Sequence, residues 1–273
     1  MWLDTLRGVK GVKYRYIRCR VIKKIKHSKY VYSLILDPGR DIPDIKPGAF
    51  LMVWHPAYEE IPISPSMYYD DGSIRLTIKN VGPTTWALTT MEHGEYIYVR
   101  GPYGKGFELE GSGRYLLIGG GYGSAPLIYA LHILRDKGYD ALYVEGAKSI
   151  NEGLFVDEAR SLKYDSILVT EDGSSRIKGL VTDYIINIYR DYDYILACGP
   201  NRMLLKLIEM FKDHSGINIQ LSFESIVKCG VGICGSCRLG ESGTLLCIDG
   251  PVLNIDTARM VFYGDTYGSE SKR

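Results

Sequence analysis

The sequence predicts a mixed β and α/β protein, with an N-terminal antiparallel β-barrel, a doubly wound parallel α/β domain and a small metal-organised C-terminal lobe. Three observations predict it: short alternating apolar runs, a later alternation of apolar runs with helical stretches, and four cysteines close together near the C-terminus. At 273 residues and 45% hydrophobic content, the chain can bury the cores of two compact domains. We place the domains at 14–108, 109–220 and 221–255.

The barrel is predicted from apolar residues that alternate along short runs between turns. The runs cover residues 30–36, 50–54, 73–78 and 95–99. Pro, Asp and Gly supply the turns at 37–39 and 70–72. The basic stretch 7–26 contains regularly placed apolar residues, so we interpret it as a strand with a solvated face.

The period of the pattern changes after Gly111, where apolar runs begin to alternate with helical stretches. The predicted strands cover 114–118, 141–145, 166–170 and 194–198. The predicted helices cover 125–137, 151–161, 181–189 and 201–214. Regular alternation of this kind is typical of a doubly wound parallel sheet.

Charge and hydropathy exclude several classes of partner. Lys and Arg number 33 and Asp and Glu 32, so the net charge of +1 gives no reason to expect nucleic acid or an anionic membrane. Residues 115–134 carry no charge, but their glycines and Pro126 interrupt the stretch, and we expect no membrane span. Asp4, Arg7 and Lys10 lie where a signal peptide would be apolar, so we expect a cytoplasmic protein.

The four clustered cysteines carry the strongest signal. Cys229, Cys234, Cys237 and Cys247 have the C-x4-C-x2-C…C spacing that holds a plant-type [2Fe–2S] cluster. Intervening glycines allow the tight curvature that such a loop needs. A tetrahedral zinc site is the alternative, although zinc sites usually show two C-x2-C knuckles, and disulfides are disfavoured in a reducing compartment.

Two glycine-containing loops predict a nucleotide site. One follows the strand 114–118 and contains Gly119, Gly120, Gly121 and Gly123 before a helix, where bare N–H groups and the helix dipole suit a pyrophosphate. A tight turn without a ligand would also explain these glycines. The other loop is Cys198, Gly199 and Pro200 at the end of a strand, which would face the same crevice. Cys198 by itself could be an ordinary buried thiol.

We predict no catalytic role for the histidines, because they lack the spacing of metal ligands and have no nucleophile nearby in the sequence. They are His27, His55, His93, His132 and His214.

Taken together, these motifs resemble those of the ferredoxin-reductase-like flavoproteins, and within them the electron-transfer subunit of dihydroorotate dehydrogenase. The resemblance covers about residues 14–255. Residues 118–127 are similar to the family's GGG-x-G-x-APL nicotinamide loop and 198–200 to its CGP element. Residues 171–174 and 179–182 resemble its DGS turn and the helix start that follows, and 222–224 its S-x-E entry to the cluster.

The flavin motif departs from the family pattern. Where members carry R-P-[IL]-S, this chain has Ile61, Pro62, Ile63 and Ser64, so the arginine that pairs with the pyrophosphate is missing. The remaining flavin residues that the resemblance implies are Thr77, Ile78, Lys79, Thr84 and Thr85. Lys79 stands where arginine is common, and Thr84 replaces a glycine. The resemblance still implies FAD as cofactor.

The resemblance implies a subunit that passes electrons through FAD and a [2Fe–2S] cluster between NAD, or another acceptor, and an FMN-containing catalytic dihydroorotate dehydrogenase subunit in pyrimidine synthesis. Two copies of each subunit are expected. One alternative is an electron-transfer subunit of a hydrogenase, a sulfide dehydrogenase or a ferredoxin-dependent complex. Another is a non-catalytic zinc-binding scaffold.

Overall fold

The computed structural model describes residues 15–40, 42–212 and 216–264. The first residues of the basic stretch, the end of the predicted helix 201–214, and His214 lie outside the described residues.

The N-terminal half forms one seven-stranded antiparallel sheet around a single apolar core, as predicted for the barrel. Its strands are β1 (Ile17–Lys26), β2 (Val31–Asp37), β3 (Phe50–Trp54), β4 (Ile61–Ile63), β5 (Met67–Tyr68), β6 (Ile74–Lys79) and β7 (Tyr96–Tyr103). They are hydrogen-bonded in the order β4-β3-β7-β1-β2-β6-β5. Alternate residues point into the core, for example Ile17, Cys19 and Val21 on β1.

A short helix, α1 (Pro83–Thr90), follows the barrel strand β6, where the sequence had suggested only a turn. Pro83 occupies the first helical position, whose N–H is not needed. The hydroxyl of Thr85 accepts hydrogen bonds from the backbone N–H groups of Val81 and Gly82, each at 2.9 Å. These two features start the helix although its sequence carries little amphipathic periodicity.

The second sheet is parallel except for one edge strand. It contains β8 (Arg114–Gly120), β9 (Asp140–Ala147), β10 (Asp165–Thr170), β11 (Ile177–Lys178), β12 (Tyr194–Cys198), β13 (Asn218–Ser222) and β16 (Val252–Asn254). The order is β11-β10-β9-β8-β12-β13-β16, and β16 runs antiparallel to β13. The direction of winding reverses between β8 and β12, which is where doubly wound sheets bind ligands.

Helices cover both faces of this sheet. They are α2 (Ala125–Asp136), α3 (Val156–Ser161), α4 (Val181–Ile185), α5 (Asn201–Met210) and α6 (Ile255–Tyr263). The first two pack in one apolar core and the other three in a second. The fold class predicted from the sequence is thus confirmed.

Two predicted helices are shorter than expected. The stretch 151–161 divides into a 3-10 turn, Ile150–Glu152, and α3, because the N–H groups of Leu154 and Phe155 donate to the buried Glu145 carboxylate. The stretch 181–189 is helical only to Ile185, where a run of β-branched residues lowers helix propensity.

The C-terminal segment forms a loop with one small hairpin, β14 (Arg238–Leu239) and β15 (Thr244–Leu245). Cys237, Leu246 and Cys247 from this segment belong to the same apolar core as the parallel sheet. The strand β16 and the helix α6 then return the chain to the parallel sheet.

Candidate functional site

A cavity of about 310 Å³ lies between the barrel and the parallel sheet. It is lined by predicted site residues from both halves of the chain. These are Ile61, Pro62, Ile63, Ser64, Thr77, Ile78, Lys79, Thr85, Gly123 and Cys198. Motifs that lie far apart in the sequence therefore surround one space.

The remaining predicted flavin and nicotinamide residues do not line this cavity, although each is close in sequence to a residue that does. They are Thr84, Gly119, Gly120, Gly121, Gly199 and Pro200. Thr84 belongs to the first turn of α1, next to the lining residue Thr85.

The two glycine loops pack against each other, and this close contact explains why both contain glycine. A Cβ atom added to Gly123 would lie 2.6 Å from the Cα atom of Gly199. One added to Gly120 would lie 2.9 Å from Pro200 Cδ in the other loop, whereas one added to Gly119 would lie 2.2 Å from the Ser124 hydroxyl in its own loop. Bare backbone is thus needed for the loops to meet at the ends of β8 and β12.

The barrel wall contributes a buried hydroxyl chain. The Thr77 hydroxyl hydrogen-bonds those of Ser33 and Ser66, each at 2.8 Å, and Ser33 in turn contacts His27 Nε2 at 2.7 Å. Ser33 and Ser66 are fully buried. The hydroxyls of Ser33, Ser66 and Thr77 therefore all have partners, and Thr77 is held in a fixed orientation beside the cavity.

Lys79 is the only basic side chain among the described residues that line the cavity. Its ammonium lies 5.7 Å from the centre of the Tyr122 ring. No arginine stands at Ile61, so Lys79 is the positive charge that this wall offers to an anion.

Cys198 lies at the buried end of β12. Burial raises the pKa of its thiol to about 12, against the opposing effect of a hydrogen bond with Ser222. The thiol therefore stays protonated at neutral pH, which suits a packing or contact role better than a nucleophilic one.

Tyr122 and Glu224 were not among the predicted site residues, yet both line the cavity. The Tyr122 hydroxyl donates to Glu224 Oε2 at 3.4 Å. The Asn201 side chain brackets the Glu224 backbone, donating to its carbonyl at 2.9 Å and accepting from its N–H at 3.1 Å. Burial and the nearby Glu224 carboxylate raise the pKa of Tyr122 to about 12.

Other lining residues that were not predicted as site residues come from both sheets and from the C-terminal loop. They include Phe50, Ser222, Phe223, Ser225, Val227 and Leu246. The S-x-E segment at 222–224 was the one available signal, since it was singled out as the entry to the cysteine loop. Leu246 immediately precedes Cys247, so its place in the cavity wall shows that the cavity extends to the cysteine loop.

The cysteine loop brings its four cysteines into contact as two pairs. The Cys237 sulfur lies 3.3 Å from that of Cys247, and both residues are buried. On the other side, the Cys234 N–H points at the Cys229 sulfur at 3.5 Å. Gly232 donates its N–H to the Cys247 sulfur at 3.2 Å, and its φ of 77° shows why glycine is needed there.

All six cysteines lie in the described part of the chain, and none forms a disulfide. Hydrogen bonds from Ser236 lower the pKa of Cys234 to about 6, whereas burial and the neighbouring Cys237 raise the pKa of Cys247 to about 12. Over residues 15–40, 42–212 and 216–264, no three His, Cys, Asp or Glu side chains already surround a point where a lone metal ion would sit.

A barrel joined to a doubly wound domain, with a cavity at their junction, is the ferredoxin-reductase-like fold. A ferredoxin NADP+ reductase from Neisseria gonorrhoeae shares the fold, with a TM-score of 0.62 and 15% identity over 77% of this chain and all of that one. No helix in the described ranges is both long and apolar enough to cross a membrane.

Sequence comparison identifies one family among the proteins that share this fold. Residues 224–258 match a family model described as the iron-sulfur cluster binding domain of dihydroorotate dehydrogenase B. A Thermoplasma volcanium protein is 37% identical over 88% of this chain and 90% of its own length. A Methanocaldococcus jannaschii protein is 34% identical over 89% and 91%. Both are named "Probable dihydroorotate dehydrogenase B (NAD(+)), electron transfer subunit".

The chain therefore belongs to the family of dihydroorotate dehydrogenase B electron transfer subunits. Among solved structures, that of an NADH-dependent reduced ferredoxin-NADP oxidoreductase is also similar, with a TM-score of 0.77 and 30% identity over 87% of this chain and 88% of that one.

Proposed function

We propose that this chain carries electrons between a nicotinamide nucleotide and an FMN-containing catalytic dihydroorotate dehydrogenase subunit, through FAD and a [2Fe–2S] cluster, in pyrimidine biosynthesis. The observation that carries the proposal is the single cavity, whose wall runs from the flavin-motif residues Ile61–Ile63 past Cys198 to Leu246, beside Cys247. FAD exchanges two electrons with a nicotinamide and single electrons with an iron–sulfur cluster.

The residues around the cavity fit a flavin. Its walls are mainly apolar, and Thr77 and Ser64 offer hydroxyls along the barrel side. The pyrophosphate would be held by the first turn of α1 at Thr84 and Thr85, where N–H groups lack intrahelical partners, and by the Lys79 ammonium. The nicotinamide would lie against Cys198 and the loop Gly119–Gly123, with Gly199 and Pro200 fixing the loop that presents Cys198.

The donor set of the cysteine loop fits a two-iron cluster. Four cysteines lie in contact as two pairs, Cys229 with Cys234 and Cys237 with Cys247, and each pair could offer two thiolates to one iron. Backbone N–H groups already point at the sulfurs, as the hydrogen bonds from Val231 and Gly232 illustrate. Such bonds stabilise thiolate charge and tune a cluster's reduction potential.

Dihydroorotate chemistry would require the partner subunit, and we propose an assembly with two copies of each. The cysteine loop exposes apolar side chains that a partner could cover: Ile226, Ile233 and Ile248 are 70%, 83% and 48% exposed. This surface lies around the cysteines, where electrons would leave the chain. Free thiols also favour a reducing compartment such as the cytoplasm.

We propose the division 14–108 for the FAD-binding barrel, 109–220 for the nicotinamide-binding domain and 221–255 for the cluster lobe. The separate apolar core of the barrel supports the first boundary. The hydrogen bonding of β16 to β13 ties the end of the lobe to the parallel sheet.

Anaerobic purification with cofactor analysis tests the proposal. We expect FAD, about two iron and two sulfide per chain, and flavin bleaching by NADH in a stopped-flow instrument. Cys229→Ser should remove the iron and keep FAD, whereas Cys19→Ser, in the buried barrel core, should keep both. Orotate formation should require added catalytic subunit. Wild-type protein that contains zinc in place of iron would contradict the proposal.

A second candidate is an electron-transfer subunit of a ferredoxin-dependent complex. The structural similarity to the NADH-dependent reduced ferredoxin-NADP oxidoreductase favours it. The copurifying partner distinguishes the two: an FMN protein that oxidises dihydroorotate supports the first, and a partner that reduces NADP with reduced ferredoxin supports the second.

A further inference from the structure

Arg100, on β7, connects two parts of the site that lie far apart in the sequence, the flavin-motif strand and the cysteine loop. Its side chain is only 12% exposed. Two of its nitrogens donate to the two carboxylate oxygens of Glu60, Nε at 2.7 Å and Nη2 at 2.6 Å. Glu60 directly precedes Ile61, the first residue of the altered flavin motif. One side of the guanidinium is thus fixed to the strand that borders the cavity.

The other side of the guanidinium holds the cysteine loop. Nη1 donates to the carbonyl of Cys229 at 2.8 Å and to the Tyr103 hydroxyl at 3.1 Å. Nη2 also approaches the Lys228 carbonyl at 3.4 Å. Cys229 is the first of the four cysteines, so a nearly buried cation is hydrogen-bonded to the backbone of a proposed cluster ligand.

The geometry around this contact leaves little freedom. Gly230 has a φ of 73°, a backbone conformation that other residues rarely adopt, and it lies against the barrel, where an added Cβ atom would be 3.3 Å from Tyr103 and 3.5 Å from Arg100 Nη1. The planar fork of arginine matches a carboxylate on one edge and carbonyls on the other, which the point-like ammonium of lysine cannot do. Burial alone would lower the pKa of Arg100, but its bonds to Glu60 and Tyr103 raise it, so the cation persists at every working pH.

We propose that Arg100 is a positioning residue that fixes the cysteine loop to the flavin-motif strand and raises the reduction potential of the cluster. The proposal rests on the proposed function. A reduced cluster carries one more negative charge than an oxidised one, so a neighbouring buried cation stabilises the reduced form. The Glu60 carboxylate offsets part of this effect. Arg100 and Glu60 therefore act on the potential in opposite directions.

The test measures the midpoint potential and the EPR spectrum of the cluster in the purified full chain, with the FAD midpoint as internal reference. Arg100→Gln should lower the cluster potential, and Glu60→Gln should raise it. Arg100→Lys keeps the charge but loses the fork, so its potential should lie between those of wild type and Arg100→Gln while its EPR signal changes.

Glu59 supplies a matched control. It is one residue from Glu60 but is 81% exposed and reaches only Lys228, at 3.9 Å. Glu59→Gln makes the same change of charge, and its effect on the potential should be much smaller because exposed charges are screened. An equal shift in the two variants would overturn the assignment, since it would mean that charge alone, without the buried contact, sets the potential.

Unchanged potentials in Arg100→Gln and Glu60→Gln at full iron content would also overturn the proposal. If Arg100→Gln loses its cluster or does not fold, Glu60→Gln decides: a raised potential supports the proposal, and an unchanged or lowered one refutes it. Absence of iron and sulfide from the wild-type chain would instead be a failure of the proposed function, which the same preparation reveals before any variant is compared.

Discussion

The ion pair between Arg75 on β6 and Glu158 on α3 joins the barrel to the parallel-sheet half of the molecule, and Glu158→Gln tests its contribution to stability. Arg75 Nη1 and Nη2 donate to the two oxygens of Glu158 at 3.0 and 2.8 Å. The arginine also donates to the hydroxyl and the carbonyl of Ser66. Its side chain is 8% exposed and that of Glu158 is 23% exposed.

The expected magnitude follows from what the substitution leaves behind. Glutamine keeps one oxygen for the guanidinium but removes its counter-charge and places an N–H donor against it. Removing one partner of a buried pair costs about 3–5 kcal/mol. Glu158 is partly exposed, so we expect about 3 kcal/mol less free energy of unfolding. The double variant Arg75→Met/Glu158→Gln should lose less than the sum of the single variants, because the two changes remove one interaction.

The pH dependence gives a second measure of the same interaction. Burial would raise the pKa of Glu158, but hydrogen bonds from His132 and Arg75 outweigh it and lower the pKa. A carboxyl with a lowered folded-state pKa stabilises the fold above its ordinary pKa and loses that contribution as pH falls through the folded value. The stability difference between wild type and Glu158→Gln should therefore be full at pH 7 and shrink on acidification below the ordinary value of 4.5.

The assay is urea unfolding followed by tryptophan fluorescence, with the same excess of FAD in every sample because a bound ligand adds stability. Asp140→Asn is the control. It breaks a pair with Arg114 whose side chains are 54% and 67% exposed, and it should cost at most about 0.5 kcal/mol. A loss in Glu158→Gln no larger than that of the control would refute the view that this buried pair holds the two halves together.

Three further predictions concern the cavity and the parallel sheet. Gly123→Ala places a Cβ atom 2.6 Å from the Gly199 backbone. It should lower the free energy of unfolding in urea by about 1–3 kcal/mol and slow flavin reduction by NADH. An unaltered rate of reduction would argue against a nicotinamide at this loop. Burial raises the pKa of Glu145 from 4.5 to about 7. As the pH rises from 4.5 to about 7, the carboxyl ionises in the unfolded chain before it does in the folded one, so the free energy of unfolding of wild type should fall by up to about 3 kcal/mol. Glu145→Gln should lack this decline. Lys79→Met should weaken FAD binding about tenfold in a fluorescence titration, and an unchanged affinity would remove Lys79 from the phosphate site.

The parts of the fold that the sequence predicted are those whose signals are local. The four central strands of the parallel sheet were each marked by an apolar run, and β8, β9, β10 and β12 lie where those runs predicted them. The fold class was therefore available without coordinates. The placement of β16 against β13 was not, because Val252–Asn254 is too short to carry a periodic pattern and its pairing is set by contacts distant in sequence.

The same distinction applies to the site. Cysteine spacing and glycine loops are local patterns and could be identified, and the structure places Cys198, Gly123 and the flavin-motif residues around one cavity. Arg100 could not be identified, because its partners Glu60 and Cys229 are 40 and 129 residues away in the chain. A single arginine in a strand ordinarily indicates a solvated face, and only the folded chain shows that this one is nearly buried.

The arginine missing from the flavin motif is best understood from the surroundings of Ile61. A partly buried arginine at the start of β4 would need a carboxylate or a phosphate as partner, and the nearest carboxylate in sequence, Glu60, is already paired with Arg100. In the proposed function, the charge for a pyrophosphate would fall instead to Lys79, assisted by the N–H groups at the start of α1. An ammonium makes no bidentate contact with a phosphate, so more of the proposed FAD binding would have to come from the helix terminus and from the apolar cavity wall. In the proposed function, the nearly buried arginine of this region therefore serves the cysteine loop through Arg100 on β7, and the flavin side would depend on Lys79, the helix N-terminus and the apolar wall.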